Sequence, residues 1–540
     1  MTHIQRGTAV QRQRPLGRAL LMRAALVLVA ASAACAQLEA QQIEDAYRSY
    51  SCPMNVRVPL VQRNLAACYG KVGAGEAATE TRATLLRMLV DSAPLNASAD
   101  PAAAARLAAG LPRPARDGAA RYNTLIGSTQ IGDNTYRFTA DPNPLEGAKR
   151  MLAAGARVHK FSLRTFSAAA GRQATSMLDA ATDRAMGYAD IFDLPLTRYV
   201  FWAYPVVEAN AYREYYDLAV HLITRFRGTG KAFYLGHWEG DWSIRSQYVD
   251  PVLPDRVALF VTRLSAMQLA IDTAKADYAP LLGGEAGVKI WGYAEVNRVL
   301  GSMADPTYKS FVNQVLPFID PPIDFVSYSN WEIEEARERS ADELGPVLQS
   351  ALDFIDCHVP PKPCVPEPRT FIGEFGYFLR SKNCSALLAP PVVAGAGPYA
   401  DTTPEVVASR SMWHLAQAVA WGSPFNHFWQ LYSNEKGQDP ATGARCDRGF
   451  WLVDSDGADA PVMAAHKAYF SAASEYVTSY AAARGGATPD VNTFRRWAVA
   501  KLVDLAGYYG SGGKEGGGVM PPAPAFRELD LGAAKVAGGH

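Results

Sequence analysis

The chain of 540 residues is short of several features that would assign it quickly. Its N-terminal apolar run, Ala24 to Ala34, is far shorter than the roughly 20 residues a bilayer helix needs, which argues against an N-terminal membrane span. No GxGxxG or GxxxxGK[ST] turn follows a strand-like run, so the usual phosphate-cradling signals are missing. No GxSxG stretch is present, and no Ser or Cys has a convincing base partner, which disfavours a nucleophilic triad. Two cysteines at CxxC spacing do not occur, so a zinc–thiolate site is not expected. No repeat with a period of roughly 20 to 50 residues stands out. An excess of positive charge is also missing. Lys+Arg and Asp+Glu number 53 each, and residues 1–36 hold five arginines and no acid, leaving 48 basic against 53 acidic side chains beyond them. A net charge of −5 excludes the basic face that a nucleic-acid partner requires.

What is present begins with a secretory pattern. Arg6, Arg12, Arg14, Arg18 and Arg23 precede the apolar run, which ends in the small residues Ala34-Cys35-Ala36. This is the pattern of a signal peptide cleaved after Ala36 and predicts a secreted or periplasmic protein. Lipid attachment at Cys35 ranks behind cleavage because Ser32 stands where a large aliphatic residue is expected. Six cysteines then remain, an even number that reads as disulfides in an exported chain. Short loops favour Cys52–Cys68 and Cys357–Cys364, which leaves Cys384 with Cys446.

Residues 37–118 carry short helical pieces and an Ala/Pro-rich run from Pro94 to Pro114, the composition of an N-terminal cap and linker. Residues 119–480 alternate between β-rich and helical runs. Eight β runs begin at Tyr136, Ala156, Thr197, Ala232, Val288, Ile323, Thr370 and Phe425, and helical periodicity or a tail follows each. Alternation of this kind implies a parallel sheet, and eight units imply a closed (β/α)8 TIM barrel of the α/β class. Residues 481–540 become Gly/Pro-rich and read as a partly disordered tail, with a helix expected at Thr493–Leu505.

In such a barrel chemistry sits at the carboxyl ends of the strands. Two β runs end on a glutamate flanked by glycine: Glu239 in KAFYLGHWEGDW and Glu374 in RTFIGEFGYFLR. Strict alternation puts Phe233, Leu235, His237 and Glu239 on one face, and Thr370, Ile372 and Glu374 on another, so both carboxylates are expected over the barrel centre. The same end is rich in Lys160, Trp202, Tyr204, Trp238, Tyr328 and Trp429. Aromatic rings there suit the C–H faces of sugars, and two carboxyls suit glycosidic bond cleavage.

At these residues the chain resembles the clan A glycoside hydrolases of family 5 type. Gly373-Glu374-Phe375-Gly376 is similar to their strand-seven nucleophile motif, Glu239 occupies the acid/base position after strand four, and Tyr328 matches the aromatic that orients the nucleophile. Trp429 matches the strand-eight ring beneath the cleaved sugar, and Gly449–Ala468 the segment closing the barrel. The resemblance implies a retaining glycoside hydrolase without cofactor, a monomer acting on carbohydrate, with Glu239 as acid/base and Glu374 as nucleophile. It implies substrate contacts from Lys160, Trp202, Tyr204, His237, Trp238, Tyr328 and Trp429. One departure is clear: the family's Asn before the acid/base is here Trp238, preceded by His237, which is expected to take over the sugar contact. Two alternatives stand beside this reading. One is an inactive barrel that binds glycans. The other is a metal-dependent hydrolase using His237, Glu239 and Asp241 with His427 or His159.

Overall fold

The computed structural model describes residues 122–529 with interruptions, of which 380–402 and 513–523 are the longest. The signal segment, residues 37–118, Arg380, and all cysteines except Cys357 and Cys446 lie outside the described residues. Those two cysteines are each disulfide-bonded.

Eight parallel strands close into a barrel: β1 (Ile126–Gln130), β2 (Val158–Leu163), β3 (Arg198–Ala203), β4 (Ala232–Gly236), β5 (Lys289–Val296), β6 (Phe325–Ser329), β7 (Thr370–Phe375) and β8 (Asn426–Phe428). Each strand pairs with its successor, and β8 pairs back onto β1 through Ile126–Asn426 and Ser128–Phe428. Helices cover the outside, chiefly α1 (Asn143–Ala154), α2 (Ala211–Arg225), α3 (Pro254–Asp277), α4 (Ala341–His358), α5 (Pro404–Trp421), α6 (Pro461–Ala483) and α7 (Val491–Gly510). This is the (β/α)8 barrel that the alternation predicts. Helix α3 is long and apolar enough to cross a membrane, yet 61% of its most apolar window is buried inside the protein, as suits a barrel helix.

The first strand is not where the β run at Tyr136–Thr139 placed it. There the backbone N–H groups of Phe138 and Thr139 donate to the Glu146 carboxylate, so the segment is a loop tied to the start of α1. The true β1, Ile-Gly-Ser-Thr-Gln, has the composition of a turn. Its small residues are required: a Cβ at Gly127 would lie 2.8 Å from the Val158 carbonyl oxygen across the barrel wall. Near the other end, α7 extends beyond the helix expected at Thr493–Leu505. Asp490 caps it by accepting from the Thr493 N–H, and buried Arg495 donates to the carbonyls of Val419 and Ala420 on α5.

Inside and outside of the barrel are two apolar layers. Val158, Val200, Trp202, Tyr234, Tyr293, Phe325, Phe371 and Phe425 point inward. Tyr199, Phe201, Phe233, Leu235, Val326, Tyr328, Ile372 and Phe375 point outward against the helices. The lower interior is filled by rings, with Phe371 and Phe425 at 4.4 Å and Tyr234 and Phe425 at 4.8 Å between centroids. Aromatic edges and faces that meet in this way make a rigid floor under the strand ends.

The alternation expected for β4 and β7 is therefore reversed in both: Phe233, Leu235 and Ile372 face the helices. Two irregularities restore the glutamates. On β7 the register with β6 shifts between Tyr328–Ile372 and Ser329–Glu374, so Gly373 is an extra residue and both it and Glu374 turn inward. After β4, Glu239 adopts φ of 20° and ψ of 83° and caps the short helix Gly240–Ser243. A non-glycine residue in that region carries a backbone cost of about 1–3 kcal/mol, held in place by its surroundings.

Candidate active site

Glu239 and Glu374 meet at the carboxyl end of the barrel. The Ser329 hydroxyl, at the end of β6, lies 2.8 Å from Glu239 Oε1 and 3.1 Å from Glu374 Oε2. A shared hydroxyl at those distances puts the nearest oxygens of the two carboxyls no more than about 6 Å apart, so both can reach one bound group. The second side of Glu374 faces Lys160, whose Nζ donates to Oε1 at 3.2 Å and to the Gly373 carbonyl at 3.1 Å. The Trp331 indole N–H donates to Glu374 Oε2 at 3.3 Å.

A third glutamate completes the cluster. Glu295 on β5 is fully buried. Its Oε2 accepts from Lys160 Nζ at 2.6 Å and from the Ser327 hydroxyl at 2.7 Å, and its Oε1 accepts from the Glu239 backbone N–H at 3.0 Å. Gly373 is required here, because a Cβ would lie 1.7 Å from Ser327 Oγ and 2.8 Å from Glu295 Oε2. Gly240 is required as well, since a Cβ would lie 2.7 Å from the Glu295 carbonyl oxygen.

Burial, and then the charge of Glu374, hold the Glu239 carboxyl well above the usual carboxylate range. Burial pushes Glu374 up to about 8, against the pull of Lys160. Two buried carboxyls this close repel as a pair of anions, so a proton on one of them is the favourable state. Glu374 has Lys160, Trp331 and Ser329 as donors to its ionised form, whereas Glu239 has Ser329. The ionised member is best accommodated at Glu374.

The remaining expected site residues divide into two groups. Trp202, Trp429 and Trp331 cluster beside the carboxyls, with Trp429 6.2 Å from Trp202 and 6.4 Å from Trp331 between ring centroids. The Trp202 indole N–H is buried and has no hydrogen-bond partner among the described residues, so it can serve a polar ligand. Tyr204 and Trp238 are half-buried at the same rim, and the Tyr204 hydroxyl accepts from the Trp238 N–H at 2.8 Å.

Lys160, His237 and Tyr328 are placed differently from expectation. Lys160 is fully buried beneath the carboxyls and is occupied by Glu295, Glu374 and the Gly373 carbonyl. The His237 ring packs between the barrel and Phe260 and Phe311. Its Nε2 accepts from the Glu295 N–H at 3.2 Å, which leaves Nδ1 as the donor to the Trp238 carbonyl at 3.0 Å. Burial lowers His237 to about 4, so the ring is neutral, and it fixes the turn carrying Glu239. Tyr328 faces outward, where its hydroxyl donates to Glu332 Oε1 at 2.8 Å. Trp331 takes the place expected of Tyr328 at Glu374.

The residues of the metal-site alternative do not converge. Asp241 Oδ1 accepts from Arg245 and the Phe311 N–H, and its Oδ2 from the N–H groups of Asn297 and Arg298. His427 lies lower in the barrel against Phe371 and Phe425. Among the described residues no group of three or more His, Cys, Asp or Glu side chains is arranged to hold a metal ion.

Sequence reasoning places Trp331 and Glu295 among the strand-end residues without their roles, and misses Ser329. Glu295 ends a β run, and its inward parity with Trp291 and Tyr293 is the signal that marks it; Ser329 is a small residue without any such signal.

No family model and no curated protein matches the chain. Among solved structures it is similar to Faecalibacterium prausnitzii β-glucuronidase, at 12% identity and a TM-score of 0.37 over 65% of this chain and 49% of that one. Xylanase 10B from Thermotoga maritima aligns at 11% identity and a TM-score of 0.36, over 67% of this chain and 99% of that one. The exo-β-1,4-mannosidase Op5Man5 from Opitutaceae bacterium strain TAV5 aligns at 11% identity and a TM-score of 0.37, over 65% and 60%. The chain thus spans about half the length of the glucuronidase and the whole xylanase barrel.

Proposed function

We propose that the protein is an exported retaining glycoside hydrolase. The observation that carries this reading is the pair of buried carboxyls, Glu239 and Glu374, on one serine hydroxyl. Both carboxyls lie within reach of one hydroxyl, the proximity that a double displacement uses, with its carboxyls roughly 5–5.5 Å apart. In the first step a Glu374 oxygen attacks the anomeric carbon. The glycosidic C–O bond breaks, and the departing oxygen takes the proton of Glu239. Glu374 is then a neutral ester and Glu239 a carboxylate. In the second step Glu239 takes a proton from water, whose oxygen attacks the same carbon and releases Glu374 as carboxylate.

The protein groups divide the work. Burial, and then the charge of Glu374, hold the Glu239 carboxyl well above the usual carboxylate range, as suits a general acid. Lys160 and the Trp331 N–H steady Glu374 in its charged form. Trp202, Trp429 and Trp331 supply apolar walls for a sugar ring, and the signal pattern at residues 1–36 takes the enzyme out of the cytoplasm. Proton NMR of the first product from an activated aryl β-glycoside tests the mechanism. The first-formed sugar keeps the anomeric configuration of the substrate; inverted product overturns the assignment.

A further inference from the structure

The cluster contains one more buried charge than a two-carboxyl reaction uses. Glu239, Glu374, Glu295 and Lys160 are all buried, and Lys160 sits between two of the carboxylates, 2.6 Å from Glu295 and 3.2 Å from Glu374. The closer partner is the one that does not lie against the Ser329 hydroxyl.

We propose that Glu295 is a positioning residue that keeps Lys160 paired while Glu374 loses its charge, and so stabilises the covalent intermediate. The inference rests on the retaining mechanism above. When Glu374 becomes an ester, its pull on Lys160 falls to that of a neutral group. Lys160 is fully buried, and an unpaired buried charge is among the costlier things a fold can contain. Glu295 removes that cost because its carboxylate is unchanged in both steps. The charge that leaves Glu374 reappears on Glu239, whose backbone N–H is already held by Glu295 Oε1. Glu295 thus touches both halves of the cycle through different oxygens. The close packing of Gly373, Gly240 and Ser327 around it leaves it little freedom to move.

A merely structural residue slows both chemical steps alike. A residue that compensates Lys160 acts on one of them. In Glu295→Gln the amide oxygen can still accept from the Glu239 N–H, but among the described residues Glu374 is the one carboxylate left in direct ion-pair contact with Lys160, Glu239 acting on it from farther away. Forming the ester then removes the direct partner of the cation, and reforming the carboxylate restores it.

The experiment uses the full-length protein and a panel of 2,4-dinitrophenyl β-glycosides, with the matching 2-deoxy-2-fluoro glycoside as a trap. For E295Q, kcat/KM, which reports ester formation, is expected to fall about 100-fold. The reactivation rate of the trapped enzyme is expected to hold or rise. Equal losses in both rates overturn the inference while leaving the retaining mechanism intact. Trapping that never occurs in the wild-type chain, despite turnover, overturns the mechanism and the inference with it. A double-mutant cycle identifies the partner: in a Lys160→Met background E295Q is expected to cost less than about fivefold. An undiminished cost there shows that Glu295 does not act through Lys160. If E295Q does not fold, Glu295→Asp, which keeps the charge but withdraws it from Lys160, is expected to show the same split in smaller measure.

Discussion

Glu239 and Glu374 reach the same serine hydroxyl by two different departures from regular structure. Glu374 is turned inward by an extra residue in β7, and Glu239 by a backbone conformation that few non-glycine residues adopt. Ser329 has one proton and two carboxyl neighbours. Its bonding is complete when Glu239 is protonated and donates to Ser329 Oγ, and Ser329 in turn donates to ionised Glu374. That is the state the proposed first step needs, and with Glu374 pushed up to about 8 it becomes populated as pH rises toward that value.

Replacing Ser329 tests this arrangement through pH. The hydroxyl's single proton favours the charged form of Glu374. In Ser329→Ala the acid limb of the kcat/KM profile is expected to move to higher pH, with kcat reduced about tenfold. An unmoved acid limb places the hydroxyl outside the titrating unit.

The two glutamates are expected to differ in how they fail. Glu374→Gln removes the nucleophile and lowers kcat by at least about a thousandfold for every leaving group. Glu239→Gln removes the proton donor and costs on the order of 10²–10⁴ with a poor leaving group, much less with dinitrophenolate. Equal losses on both substrates contradict the acid role.

Stability is expected to move the other way. Glu374 titrates higher folded, at about 8, than the usual carboxylate near 4.3 in an unfolded chain. Its contribution is therefore complete below the unfolded value and is lost as pH rises through the folded one. Glu374→Gln is expected to melt on the order of 2 °C or more above wild type at pH 8.5, and alongside it at pH 4. Thermal scans at the two pH values decide it.

Glu332 follows the same sign at a different place. It accepts from the N–H groups of Val299 and Leu300 at the start of the short helix Val299–Ala304, and burial pushes it up to about 7. Glu332→Gln keeps an acceptor for those groups and is expected to flatten the fall in melting temperature between about pH 4.5 and 7. An unchanged slope shows that other groups carry it.

Gly373 gives a prediction about packing alone. Gly373→Ala drives a methyl into Ser327 Oγ and is expected to cost about 1–3 kcal/mol and most of the activity. Adding Ser327→Gly opens the space and is expected to recover folding, measured by urea midpoint, more fully than turnover.

Much of this was legible in the sequence, for identifiable reasons. Seven strands announce themselves by β-rich composition between helical runs, and glycines beside Glu239 and Glu374 mark the two strand ends. The orientation of those strands was not legible. A period of two predicts Phe233 and Ile372 in the barrel; the structure has them against the helices, because a bulge and one unusual φ reset the parity just before each glutamate. Such irregularities depend on neighbours far away in sequence, Ser327 and Glu295 among them. Strand β1 escaped because contact with Val158 demands a glycine where β composition calls for a branched residue. Family resemblance pairs Tyr328 with Glu374, but its parity sends it to Glu332, and Trp331 at the start of the following short helix takes the contact.

The most direct test of the central claim is the identity of the residue that becomes covalently modified. The full chain is incubated with a 2-deoxy-2-fluoro glycoside bearing a dinitrophenyl leaving group, digested, and its peptides sequenced by mass spectrometry. One fluorosugar on Glu374 is the predicted result. A label on Glu239 or Glu295, or steady turnover with no label at all, contradicts the account.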